Sequence, residues 1–164
     1  MKIIGIDPGL RHTGYGIINS DFRYVTSGRI SPDDKLPLNK RLFEIHREIK
    51  QLISKYKPEL AVVEETIVNA NYRSSLLLGQ ARGAAVSALG EVKYLGLAPK
   101  EIKKNISGFG SSDKAEVKNG LKLVLKDISL SDLFNTTSDE SDALAMAVSG
   151  VLICKQTVWQ ETAA

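Results

Sequence analysis

Cysteine is almost missing from this sequence, and Cys154 is the single one. An internal disulfide and a cysteine-rich zinc site are therefore excluded. Cys154 lies in the apolar run Val151-Leu152-Ile153-Cys154, where a buried, inert thiol is the expectation. Histidine is nearly as scarce. His12 and His46 have no second histidine or cysteine at metal-ligand spacing, so surface or boundary roles are expected for both. No apolar run approaches the roughly 20 residues of a membrane span. The opening Met1-Lys2-Ile3-Ile4-Gly5 is too short and too soon interrupted for a signal peptide. The expectation is a cytoplasmic protein with no membrane association. No repeat, low-complexity tract or Pro/Gly/Ser linker divides the chain.

What is there suits one globular domain. The chain has 164 residues, 43% of them apolar and 25% charged. A domain of this size buries roughly two-thirds of the surface its unfolded chain exposes, so it needs no staples. The expected domain spans 1–154, with a short tail at 155–164 that carries Trp159. Net charge is only +3, but residues 98–126 hold seven lysines against three acids. Positive charge gathered in one segment is the footprint of a polyanion binder, although a solvated helix face would look the same.

The periodicity predicts an α/β fold. Three strands come first, over Met1–Asp7, Thr13–Asn19 and Phe22–Ile30, with a hairpin turn at Ser20-Asp21. Leu38, Leu42, Ile45, Ile49, Leu52 and Ile53 then mark an amphipathic helix over 38–56, ended by Lys57-Pro58. Leu60-Ala61-Val62-Val63 suits a strand buried on both faces. A helix rich in small residues follows over Leu76–Leu89, then a strand over Val92–Ala98. Two or three helices finish the chain, the last over roughly Ser138–Ile153. Short early loops favour an antiparallel meander, and the later crossovers require parallel pairing. The expectation is a mixed five-stranded sheet, three antiparallel strands then two parallel, with helices on both faces. In such sheets ligands usually bind outside the strand ends.

Carboxylates gather at those ends. Asp7 closes the first strand, Glu64 and Glu65 follow the apolar run at 60–63, and Asp139 and Asp142 open the last helix. Each has an ordinary reading: a turn residue in Asp7-Pro8-Gly9, solvated glutamates, or acids at the positive end of a helix dipole. Thr137-Ser138-Asp139-Glu140 has the form of a capping box, which assigns Glu140 to the helix start. Asp139 and Asp142, three apart, project to one side of the helix. If that helix packs beside the strands, all these acids converge. Clustered carboxylates repel one another and call for a cation. Oxygen-only ligands point to magnesium or manganese. Two such ions a few ångströms apart are a standard device for phosphodiester hydrolysis.

Four motifs, in order, resemble the RuvC family of Holliday-junction resolvases. They are Gly5-Ile6-Asp7-Pro8-Gly9 with Arg11 and Thr13-Gly14-Tyr15-Gly16, then Leu78-Gly79-Gln80-Ala81-Arg82-Gly83. Lys103 with Gly108-Phe109-Gly110-Ser111 and Lys114 comes third, and Asp139 and Asp142 with Ala143-Leu144-Ala145 last. The opening motif alone would also suit an actin-like ATPase or sugar kinase, but those need a second domain. A catalytically idle junction binder would keep the lysines and need none of the acids. A related nuclease of the same fold, acting on other branched or RNA-containing substrates, is a further alternative.

The resemblance implies a ribonuclease H-like fold, a homodimer, and two symmetric cuts at a four-way DNA junction. It places the four acids at Asp7, Glu64, Asp139 and Asp142, rather than at Glu65. It implies two Mg2+ per site, with Mn2+ able to substitute, and products with a 5′-phosphate and a 3′-hydroxyl. It places basic residues near the scissile phosphate at Lys103 and Lys114, with Lys114 also stabilising developing charge. RuvA and RuvB branch-migration proteins are the implied partners. One departure stands out. Ile67 occupies a position where the family commonly carries an aromatic residue. Ile67 can act as an aliphatic wedge, or Tyr72 can supply stacking. Arg73, in the same region, is a further candidate for DNA contact. Lys114, Lys118, Lys122 and Lys126 recur every four residues, which predicts a helical stripe that tracks a DNA arm.

Overall fold

A computed structural model describes residues 1–65 and 72–162, with side chains as far as residue 156. Ile67 and the side chain of Trp159 lie outside the described residues. The first three strands are β1 (Lys2–Asp7), β2 (Thr13–Asn19) and β3 (Tyr24–Ile30). They are followed by α1 (Leu38–Tyr56), β4 (Leu60–Glu64), α2 (Tyr72–Ser87) and β5 (Lys93–Leu97). Four helices close the chain: α3 (Pro99–Ser107), α4 (Lys114–Val124), α5 (Leu130–Asn135) and α6 (Ser138–Thr162).

The five strands form one sheet in the order β3-β2-β1-β4-β5. β1 pairs antiparallel with β2, and β2 with β3, while β4 runs parallel to β1 and to β5. This is the mixed sheet the pattern predicts. Its two faces carry separate cores. Ile4, Ile6, Ala61 and Val63 point toward α1 and α2, where Ile45, Ile49, Ala81 and Ala85 meet them. Ile3, Ile18 and Val62 point the other way, onto Leu144, Ala147 and Val148 of α6, with Ile102, Val117 and Leu121 beyond. Successive residues alternate between faces, so β1 and β4, buried on both, read as unbroken apolar runs.

α6 is buried almost all round from Ala143 to Val148, which is the mark of a central helix. Two glycines let it sit down on the sheet. A Cβ on Gly5 would run into the Ala143 carbonyl, and one on Gly14 into the Asp139 carbonyl. The backbone of α6 therefore touches β1 and β2 directly at the end where Asp7 emerges.

Several elements differ from expectation. β3 begins at Tyr24, because Phe22 takes a left-handed conformation (φ 67°) inside the turn that links Asn19 and Arg23. α2 begins at Tyr72, four residues early. α6 runs on to Thr162, past the expected end at Ile153. The closing helices number four rather than two or three. The extra one, α5, has only six residues and is defined by its caps, not its period. Ser129 accepts from Asp132 N, and the Thr136 amide closes the other end on Leu133 O.

Candidate active site

Three elements deliver the acids. Register pairs Ile6 with Val63, so Asp7 and Glu64 leave adjacent parallel strands side by side. The first turn of α6 supplies Asp139 and Asp142, packed against those strand ends through Gly14. The start of α6 is fixed by the expected capping box. Glu140 Oε2 accepts from Thr137 N at 2.8 Å, and Thr137 Oγ1 accepts from Glu140 N at 3.3 Å. Glu140 also takes a bond from Ser27 of β3 and stays out of the cluster.

The electrostatics show how close the four come. Burial, and then the charge and hydrogen bond of Glu64, push the Asp7 carboxyl up to about 8, with smaller contributions from Asp142 and Asp139. Burial also raises Glu64, and Asp142 adds to it. The hydrogen bond from Asp7 and the nearby Lys114 and Lys103 pull it back. Asp7 is thus the protonated partner, donating to the Glu64 carboxylate. Glu65 takes another course. It is exposed, with its side chain over Gly96 near Arg82. Arg82 donates from Nε to the Glu64 carbonyl at 2.9 Å and so steadies the end of β4.

Two cations hold the helix acids. Lys114 Nζ stands 3.5 Å from Asp142 and hydrogen-bonds Ser138 Oγ, while Ser138 in turn donates to Asp142. Arg29, from β3, stands 3.7 Å from Asp139. Lys103 and Lys114 share the rim of a cavity of about 120 Å³ with Glu64 and Asp142, above an apolar floor that includes Ile102 and Met146.

Does a metal fit this donor set? The chemistry fits a hard divalent cation: four carboxylates, no nitrogen or sulfur, and enough burial and mutual repulsion to keep one of them protonated. In this arrangement, among the described residues, no three of them stand together as a ready-made ligand cluster. Asp139 and Asp142 lean toward Arg29 and Lys114, and Asp7 toward Glu64.

The family model described as crossover junction endodeoxyribonuclease RuvC matches residues 3–150. The chain belongs to the RuvC family. A relative with that name from Bradyrhizobium diazoefficiens is 39% identical over 153 residues, covering 90% of this chain and 85% of its own. Another, from Rhodopseudomonas palustris, is 40% identical over the same coverage. Among solved structures, RuvC of T. thermophilus in complex with a Holliday junction substrate superposes with a TM-score of 0.86. It has 24% identity and 96% of each chain is covered. The yeast mitochondrial Holliday junction resolvase Ydc2 matches with a TM-score of 0.63, at 15% identity over 94% of this chain and 85% of its own. The fold is that of this ribonuclease H-like group. Divalent-metal dependence goes with membership of this nuclease family.

The remaining expected residues are spread more widely. Tyr72 and Arg73 open α2 and are exposed, Tyr72 at 80%. The lysine stripe departs from expectation. Lys118 is half-buried, and its Nζ donates to the Phe134 and Thr136 carbonyls at 3.0 Å each. Its charge therefore serves the turn between α5 and α6. Lys122 lies 5.7 Å from the Phe134 ring centroid, and Lys126 falls past the end of α4. Sequence reasoning missed Arg29 and the role of Arg82. Arg29 carries no motif, and its nearness to Asp139 depends on the β2–β3 register. No helix is long and apolar enough to cross a membrane, among the described residues.

Proposed function

We propose that this protein is a structure-selective endonuclease that resolves four-way (Holliday) DNA junctions by paired, symmetric phosphodiester hydrolysis in recombination and DNA repair. The observation that carries the reading is the convergence of Asp7, Glu64, Asp139 and Asp142, from three elements, beside Lys103 and Lys114. Family membership supports the same activity.

Asp7, Glu64, Asp139 and Asp142 would hold two Mg2+ ions, with Asp7 shared between the two sites. Mn2+ is expected to substitute. When bound, the pair supplies an activated water and stabilises the leaving oxygen. With Asp7 deprotonated, both the Asp7 and Glu64 carboxylates would be available to hold the cation. Lys114, drawn off Asp142, is left beside the scissile phosphate, where its ammonium stabilises developing charge. Lys103 and the exposed Lys122 contact flanking phosphates, with Arg73 and Tyr72 at the mouth of α2 and Ile67 serving as the wedge at the crossover. The products carry a 5′-phosphate and a 3′-hydroxyl.

A homodimer suits the near-twofold symmetry of the junction. The outer side of α2 supports it. Ala81 and Ala85 are buried in the core, whereas Gly79 and Gly83 face open space beside the exposed Leu76. The protein works in the cytoplasm with the RuvA and RuvB branch-migration proteins. The test is an end-labelled four-way junction with magnesium, run beside a duplex of the same sequence. Paired symmetric nicks in the junction alone are expected. Binding without cleavage in either metal would instead favour an idle junction binder.

A further inference from the structure

Two cations stand beside the acids of α6. Arg29 reaches Asp139 from β3, whereas Lys114 comes from α4. The position is built into the sheet. Arg29 pairs in register with Gly14, and Gly14 lies against the Asp139 backbone. Ser27, two residues earlier and so on the same face, donates to Glu140 in the same turn of α6.

Arg29 is close to the acids but not locked to them. At 3.7 Å its contact with Asp139 is too long for a hydrogen bond. Glu140, the other acid nearby, is committed to Thr137 and Ser27. The Arg29 side chain is 38% exposed. A guanidinium carries five N–H donors in a planar fork that matches phosphate oxygens in pairs. Here such a fork sits at the edge of a site that acts on phosphodiesters, with no hydrogen bond to a protein acceptor among the described residues.

We infer that Arg29 is a phosphate-binding residue for the cleaved strand, held over Asp139 in the metal-free protein and released when a cation takes that carboxylate. This rests on the nuclease reading above. The strand is then gripped on two sides of the carboxylates, by Lys103 and Lys114 on one and by Arg29 on the other. Metal and Arg29 compete for Asp139, so metal binding and engagement of DNA by Arg29 are coupled.

Two measurements on the full chain test this, using Arg29→Gln and Arg29→Lys. The first is calorimetric Mn2+ binding without DNA. Removing the positive charge with Gln should tighten binding roughly fivefold, and Lys should leave it near wild type. Unchanged affinity in the Gln variant overturns the hold on Asp139. The second is junction binding across a salt series in a Lys114→Gln background, which keeps all four carboxylates and cuts slowly, with and without magnesium. With magnesium, Gln should flatten the logarithmic salt slope by about one and Lys should not. In chelator the difference should shrink. An unchanged slope with magnesium overturns the phosphate contact, and an equal change in both conditions overturns the coupling. Failure of the nuclease reading looks different. The wild-type protein would then not cut a junction, while the Mn2+ measurement would still report on Arg29 and Asp139.

Discussion

Asp7 and Glu64 end neighbouring parallel strands and share one proton between their carboxyl groups. The pair is stable as an acid and a carboxylate, and strained as two charges. With its carboxyl pushed up to about 8 from the ordinary 3.8, Asp7 must lose its proton in the fold against burial and repulsion. The folded pKa lies above the unfolded one. Stability of the metal-free protein is therefore fully present below about pH 4 as far as this group is concerned, and is lost progressively as pH rises toward 8. Glu64 shifts in the same direction. Thermal melts in chelator from pH 5 to 8 should show a falling Tm. Asp7→Asn should flatten that fall and raise Tm at pH 8, while abolishing cleavage and sparing junction binding. A wild-type cleavage rate in Asp7→Asn would remove Asp7 from the metal site.

Gly14 couples fold to chemistry. A methyl group there meets the Asp139 carbonyl, and neither backbone can move alone because α6 is buried along its next turns. Gly14→Ala should cost about 1–3 kcal/mol, as overpacking does. The effect on kcat should be larger than that stability loss implies, since Asp139 itself is pushed outward. Comparing kcat with Tm for Gly14→Ala and for Gly28→Ala, where the clash is with the Tyr15 side chain instead of α6, separates the two effects. Equal kcat losses in both would mean that only global stability is at stake.

Much of this was legible in the sequence, for identifiable reasons. Strand sense followed from loop lengths, and the apolar Leu60–Val63 run marked a strand buried on both faces; the order of the strands across the sheet came from the structure. Glu140 was separable from Asp139 and Asp142 because a capping box is a local motif. Glu64 against Glu65 was not separable by parity, since either residue can end a strand. The family pattern was needed to choose between them, and in the structure the Glu65 side chain lies over Gly96. Arg29 stayed hidden because its partner is 110 residues away through a register that only the folded sheet defines. Lys118 looked like a surface charge because the four-residue repeat says where a helix points, not what packs there. The short, cap-defined α5 filled that space.

Lys118 makes a sharp contrast with Lys122. Its ammonium joins the last carbonyls of α5 to the residue before the α6 cap. Lys118→Met should cost about 1–2 kcal/mol, the loss of charged hydrogen bonds to one exposed and one half-buried carbonyl. For a domain of this size that lowers Tm by roughly 2–8 °C. Lys122→Met should leave Tm unchanged and flatten the salt slope of junction binding by about one. The reverse pattern, a stable Lys118 variant with a flattened slope, would return Lys118 to the DNA.

Lys114 tests the chemistry most directly. It is the first residue of α4, capped by Asp113 and Glu116, and its side chain is 75% exposed yet reaches Ser138 and Asp142. An exposed pair of this kind adds little to stability. Lys114→Gln should therefore melt close to wild type. It should bind a junction within a few-fold of wild type, because one phosphate contact among several is lost. If the ammonium faces the charge that develops on the phosphate, single-turnover cleavage should fall about 10²- to 10³-fold, the range for losing one positioned electrostatic donor. Lys114→Arg should restore only part of this, since a planar fork does not reproduce a point charge. A Gln variant that cuts at the normal rate but binds weakly would make Lys114 a DNA contact and leave the transition state to other groups.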